Sequence, residues 1–193
     1  NVYPRSEAPE EPLPAAPITA DQPAIFHWFS QTVGPERGLE HIVRILGRMR
    51  TPVRLQLRGH VSPDYRASLE TLARECGVKV PLEFLPSAPP AELVRLAAPA
   101  HLGLSLEERM PPNRDLCLPN KDFAYLLAGL PVLFSNTQAH TALAPELGEA
   151  ALLADVYHSA EVAEQLDAFL ADPERQQRAR IRAWELGQAR YCW

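Results

Sequence analysis

Glycine is scarce in this sequence, nine in 193 residues, and no two glycines stand one residue apart. The dinucleotide fingerprint GxGxxG is therefore absent, and so is GxxxxGK, which removes the main support for oxidoreductase and P-loop readings. Cysteine is scarcer still. Cys76, Cys117 and Cys192 are an odd number at wide spacings, with no CxxC and no Cys/His ligand cluster, and are expected to be idle thiols in a reducing cytoplasm. No two aspartates stand at i and i+2, and His27, His41, His60, His101, His140 and His158 form neither HExxH nor a paired ligand spacing. A metal site has no support in the sequence. No apolar stretch approaches the ~20 residues that span a bilayer, which excludes a transmembrane helix.

The net charge of −5 gives no whole-protein attraction for nucleic acid, so an anionic ligand requires a local site. Arg175, Arg178, Arg180 and Arg182 lie beside Glu174 and Glu185 without an aromatic platform and read as a solvated helix face. Proline, by contrast, is plentiful. Six of the twenty prolines fall in residues 1–23 among Glu7, Glu10, Glu11 and Asp21, a composition that reads as an inter-domain linker without a packed element. Residues 24–193 suit one domain with one core. Asn1 is not an initiator Met, and a helical pattern runs into Trp193, so the chain is expected to be a piece of a longer protein.

From Ala24 onward short apolar runs alternate with helical stripes. Ile25 to Phe29 reads as a strand, with a loop from Ser30 to Gly38 and a helix striped by Leu39, Ile42, Val43, Leu46 and Met49. Val53 to Gly59 is the next strand, followed by a helix from Ser62-Pro63-Asp64 to Gly77. A strand over Lys79 to Phe84, a helix over Pro90 to Ala98 and a strand over His101 to Leu106 follow. The run Leu118 to Ser135 predicts a helix opened near Pro119 and closed by Gly129, then a strand over Val132 to Phe134. Ala150 to Leu153, a helix from Ser159 and a last helix from Asp172-Pro173 complete the chain.

This order predicts a Rossmann-like three-layer α/β sandwich with a mostly parallel six-stranded sheet. In such a sheet the ligand sits beyond the carboxyl ends of the strands, among the loops Gln31 to Gly38, Gly59 to Pro63, Pro86 to Pro90, Glu107 to Pro119 and Asn136 to His140. Strands one and four are expected as neighbours at the switch point. Arg37 and Lys121, each at the head of a helix, would then face one crevice suited to a diphosphate.

Two stretches carry a family resemblance. Phe29-Ser30-Gln31-Thr32-Val33-Gly34-Pro35-Glu36-Arg37-Gly38-Leu39-Glu40 and Leu118 to Val132, with Pro119-Asn120-Lys121 and Ala128-Gly129-Leu130-Pro131-Val132, resemble the carboxy-terminal domain of group 1 retaining glycosyltransferases of the GT-B fold, over roughly residues 24 to 193. The resemblance implies the donor-binding half of a bacterial-type enzyme that transfers a sugar from a nucleotide diphosphate sugar to an acceptor held by a missing amino-terminal domain. It implies no cofactor and no bound metal, and a cytoplasmic protein peripheral to the inner membrane through that missing domain. Gln31, Gly34, Arg37, Gly38, Asn120 and Lys121 would bind the donor diphosphate, while His60, Pro86, Ala124 and Tyr125 would border the base and ribose. Gln31 stands where the family has Arg, Arg37 where it has Lys, and Leu116 and Ala124 where it has a Glu-x7-Glu pair. The alternative is a catalytically inactive nucleotide-sugar-binding or interaction domain of the same fold; a nonhydrolysing epimerase has no motif in its favour.

Overall fold

The computed structural model describes residues 3–193. Its order is β1 (Ala24–Val33), α1 (Leu39–Leu46), β2 (Val53–Val61), α2 (Pro63–Glu75), β3 (Glu83–Leu85), α3 (Pro90–Ala97), β4 (Leu102–Ser105), α4 (Pro112–Leu116), α5 (Asn120–Leu127), β5 (Val132–Ser135), α6 (Gln138–Leu147), β6 (Ala151–Ala154), α7 (Ser159–Leu170) and α8 (Pro173–Ala189). The strands form one sheet in the order β3-β2-β1-β4-β5-β6, and every pairing is parallel. Helices cover both faces of a parallel sheet, and the central strands β4 and β5 accordingly bury all their residues. One core holds Phe26 and Trp28 of β1 against α1, α2 and α7; the other holds Phe29 against α3, α5 and α6. α8 contributes Ala179 to the first core and Ala183 and Leu186 to the second. The three-layer α/β sandwich is the fold that the alternation implies, with a sheet wholly parallel.

Local chemistry fixes several boundaries. The Ser62 hydroxyl accepts from the Tyr65 N–H at the head of α2, Pro63 supplies the preset φ of the first turn, and Gly77 ends the unit at φ 69°. Asp172 caps α8 in the same manner, through the Arg175 N–H. Elsewhere neighbours decide. β1 runs on to Val33 where the sequence reads as a loop from Ser30, because a bulge between Phe29 and Thr32 lets the strand resume pairing with β2 at His60 and Val61. Gly59 makes room for it: a Cβ there would lie 2.4 Å from the Ser30 carbonyl oxygen. β3 is shorter than the expected Lys79 to Phe84, since it pairs only with Gln56 to Arg58, and the Lys79 ammonium turns back to the Met49 and Arg50 carbonyls. α4 falls in a stretch that reads as a loop and α6 begins in another; the Thr137 hydroxyl caps α6 by accepting from the His140 N–H.

The proline-rich segment is the largest departure from the sequence reading. It has almost no regular structure beyond a 3-10 turn at Arg5–Glu7, yet it lies against the domain as a strap. Extended proline-rich backbone makes no hydrogen bonds with itself, so its carbonyls are free acceptors. The Arg180 guanidinium donates to the Leu13 carbonyl at 2.6 Å, the Trp184 indole N–H to Pro9 at 3.0 Å, and the His101 ring lies 2.9 Å from the Ala16 carbonyl. Arg180 is buried, and its other nitrogens hold the Ala98 and Ala100 carbonyls, so one side chain pins the strap to the end of α3. Tyr3 pairs with Cys192, and Tyr3, Ala8, Leu13 and Ile18 pack on the cores. The expectation that this composition supplies no packed element is therefore corrected: the domain supplies the hydrogen-bond partners that the segment lacks.

Removing residues 1–17 orphans part of a buried guanidinium and uncovers apolar surface. The melting temperature is expected to fall by roughly 10 °C in thermal unfolding, the effect of losing ~3 kcal/mol in a domain of this size. An unchanged melting temperature would show that the strap contributes nothing.

Candidate functional site

The chain leaves β1 toward β2 on one side and β4 toward β5 on the other, so a crevice opens between their carboxyl ends. Its walls are the loop from Gly34 to Gly38 and the segment from Leu106 to Pro119. They meet closely, because a Cβ at Gly38 would lie 2.3 Å from the Leu106 carbonyl oxygen, and Gly38 also takes the left-handed φ of 70° at the head of α1. Only glycine satisfies both conditions. Next to this contact lie Arg37 on one wall and Glu107 on the other.

Glu107 is the centre of the site. Its Oε1 lies 2.9 Å from the Lys121 Nζ, and both side chains are buried. Burial alone would raise the Glu107 carboxyl, but the charge and hydrogen bond of Lys121, with the charges of Arg37 and Arg114, outweigh it and hold the group below the usual carboxylate range. Lys121 bonds the carboxylate directly, and Arg37 and Arg114 act on it through their charge alone. Lys121 also stands 4.9 Å from the centre of the Trp28 ring, which floors this end of the crevice. Because the folded carboxyl titrates low, the stabilisation it provides is present above the unfolded pKa and is lost as pH falls through the folded one.

A buried polar network supports the pair from below. The Ser135 hydroxyl donates to the Glu107 carbonyl at 2.6 Å, and the His140 Nδ1 lies 3.0 Å from the Ser135 carbonyl. A carbonyl only accepts, so Nδ1 carries a proton. The His140 Nε2 lies 3.2 Å from Asp122 Oδ2 and 3.4 Å from the Ser105 hydroxyl. A serine, a histidine and an aspartate thus meet, but on one ring nitrogen, whereas a nucleophilic triad needs the acid and the hydroxyl on opposite nitrogens. The cluster is a brace, tying the first turns of α5 and α6 to the ends of β4 and β5.

The segment between β4 and α5 is also anchored above. Arg114 of α4 donates to the Glu36 carbonyl and lies 3.6 Å from the Glu36 carboxylate, joining the two walls. Asp115 accepts from the Gln138 N–H at 2.9 Å, so a carboxylate caps the positive end of α6. Beside it an open cavity of about 520 Å³ is lined by Arg109, Asp115, Asn136, Gln138, Thr141 and Ala142. Among the described residues no group of three His, Cys, Asp or Glu side chains is placed to hold a metal ion, and the three cysteines are free.

The residues singled out from the sequence separate into three groups. Gly34, Arg37 and Gly38 belong to the loop that forms one wall of the crevice, and Asn120 and Lys121 to the first turn of α5, with Lys121 buried and Asn120 exposed. Gln31 and His60 are exposed on the two-stranded extension of β1 and β2, and Pro86 is exposed beyond β3, its carbonyl accepting from Arg58. These three share the ligand edge but stand to one side of the switch point. Ala124 and Tyr125 are corrections. Both are fully buried in the core rather than bordering the cleft. Tyr125 lies across Gly103 of β4 and donates its hydroxyl proton to the His27 carbonyl at 3.0 Å, while α8 closes over α5 through Gly187. Asn120 and Ala124 share a helix face, but Asn120 is exposed while Ala124 is fully buried. Sequence reasoning missed Glu107, Arg114, Asp122 and His140. The available signal was a carboxylate directly after a buried strand, in a segment already marked as facing the ligand.

No protein-family model matches the chain, and no curated protein sequence matches it. Solved structures do. HepE of Anabaena, solved in complex with UDP-glucose, superposes with a TM-score of 0.71 at 17% identity, over 87% of this chain and 44% of HepE. The carboxy-terminal domain of LpcC, a group 1 family glycosyl transferase of Francisella tularensis, gives 0.65 at 14% identity over 99% of this chain and 96% of that domain. This chain has the GT-B carboxy-terminal-domain fold. WaaG, a glycosyltransferase involved in lipopolysaccharide biosynthesis, gives 0.65 at 16% identity, over 88% of this chain and 44% of WaaG. The chain spans less than half the length of HepE and WaaG, and nearly the whole of the LpcC domain.

A carboxylate at position 124 has no route to solvent. Ala124→Glu is expected to destabilise the domain by ~3–5 kcal/mol, read as a large fall in melting temperature, because it buries an unpaired charge in a packed core. A variant as stable as the parent would put position 124 at the cleft.

Proposed function

We propose that this chain is the donor-binding half of a glycosyltransferase that transfers a sugar from a nucleotide diphosphate sugar to an acceptor held by another domain. The observation that carries this reading is the buried Lys121 ammonium in the first turn of α5, bonded to Glu107 at the switch between β1 and β4, with Arg37 of the β1–α1 loop acting on the same carboxylate through its charge. Helix first turns carry N–H groups without intrahelical partners, and two cations beside them suit the adjacent phosphates of a diphosphate. HepE, which shares the fold, is solved with UDP-glucose. In this reading Arg37 and Lys121 stabilise the charge that grows on the departing diphosphate, with no metal required. His60, Gln31 and Pro86, on the β3 side of the crevice, border the nucleoside. The protein works in the cytoplasm, and among the described residues no helix is long and apolar enough to cross a membrane.

Titration calorimetry of the chain with UDP tests the proposal. Binding with a Kd of roughly 0.1–1 mM is expected, since only part of the cleft is present, and Arg37→Gln and Lys121→Gln are each expected to weaken it about tenfold. Absence of heat with any nucleoside diphosphate would overturn the reading.

A further inference from the structure

The crevice already contains an anion, and it belongs to the protein. The Glu107 carboxylate takes the Lys121 ammonium at 2.9 Å, within the field of Arg37 and Arg114, and both members of the pair are more than nine-tenths buried. The same segment spends a second carboxylate, Asp115, on the α6 N-terminus and ties itself through Arg114 to Glu36 on the opposite wall. These contacts tie the segment from Glu107 to Asp115 to Lys121 at one end and to the opposite wall and α6 at the other. We infer that Glu107 is an internal competitor, an affinity-setting residue with which the phosphate of a ligand must compete for Lys121.

The inference rests on the diphosphate reading and adds a sign to it. A carboxylate that remains in place repels an arriving phosphate, and one that leaves must first give up its buried ammonium; either way it lowers affinity. The brace beneath it does not release with it, because Ser135 holds the Glu107 main-chain carbonyl, not the carboxylate. Rotation of the Glu107 side chain frees Lys121 and leaves this hydrogen bond intact.

Glu107→Gln tests this, since glutamine keeps the size and an oxygen that can accept from Lys121 but loses the charge. Inorganic pyrophosphate is the probe, with UDP in parallel, by calorimetry on the chain alongside its thermal unfolding. The expected result is binding at least about tenfold tighter together with a lower melting temperature. A residue with a merely structural role would lower both. If the parent chain binds pyrophosphate and the variant binds equally or more weakly, the competitor role is overturned and the diphosphate site stands. If neither binds pyrophosphate or UDP, the diphosphate reading fails and the inference falls with it. Should the variant not fold, carbon-13 titration of the Glu107 carboxyl in the parent chain decides. Lys121, Arg37 and Arg114 face that carboxyl, and saturating pyrophosphate is expected to raise its midpoint as it draws them away. A midpoint unmoved by bound pyrophosphate overturns the inference.

Discussion

A residue with a side chain could not sit where Gly38 sits, because its Cβ would lie 2.3 Å from the Leu106 carbonyl oxygen. The site depends on this contact. It brings the β1–α1 loop onto the end of β4, and the residues on either side of it, Arg37 and Glu107, come within electrostatic reach of each other. Lys121 then arrives from α5, which packs in the second core while α1 packs in the first. Sheet order makes the crevice, and one missing methyl group closes it.

The charges of the crevice are held by a rigid base and a more exposed rim. Below, Ser105, Ser135, His140 and Asp122 bind one another across four elements and are all buried. Asp122 Oδ1 is buried without a hydrogen-bond partner, so this cluster is only partly satisfied, and the position of Lys121 follows from the packing of α5 on its neighbours. Above, Arg114 and Asp115 hold the rim through contacts that are partly exposed, and exposed ion pairs contribute little stability each. Any motion that admits a ligand is therefore to be sought in the rim and in the Glu107 side chain.

Local signals made the elements legible and left their burial unread. Ser62-Pro63 and Gly77 announce α2 because a cap and a left-handed stop are chemistry within one turn of the chain. The neighbourhood of strands one and four followed from alternation alone. Ala124 did not follow, since its burial is decided by tertiary neighbours in the second core, which includes residues of α3 and of α8, the latter entering the sequence some fifty residues later. The strap was misread for a related reason. Composition reports correctly that residues 3–23 bond little with themselves, beyond turns at Arg5–Glu7 and Thr19–Gln22, but says nothing of Arg180 and Trp184, whose donors meet their carbonyls. Glu107 escaped notice because a carboxylate argues against an anion site until its partners are seen.

The account stands on a diphosphate lying between the β1–α1 loop and the first turn of α5. A crystal structure of the chain with a nucleoside diphosphate tests that most directly. The account predicts phosphate oxygens within hydrogen-bonding distance of Lys121 and Arg37, with the Glu107 carboxylate turned away from Lys121. A nucleotide bound elsewhere on the domain, with the Glu107–Lys121 pair intact, would contradict it.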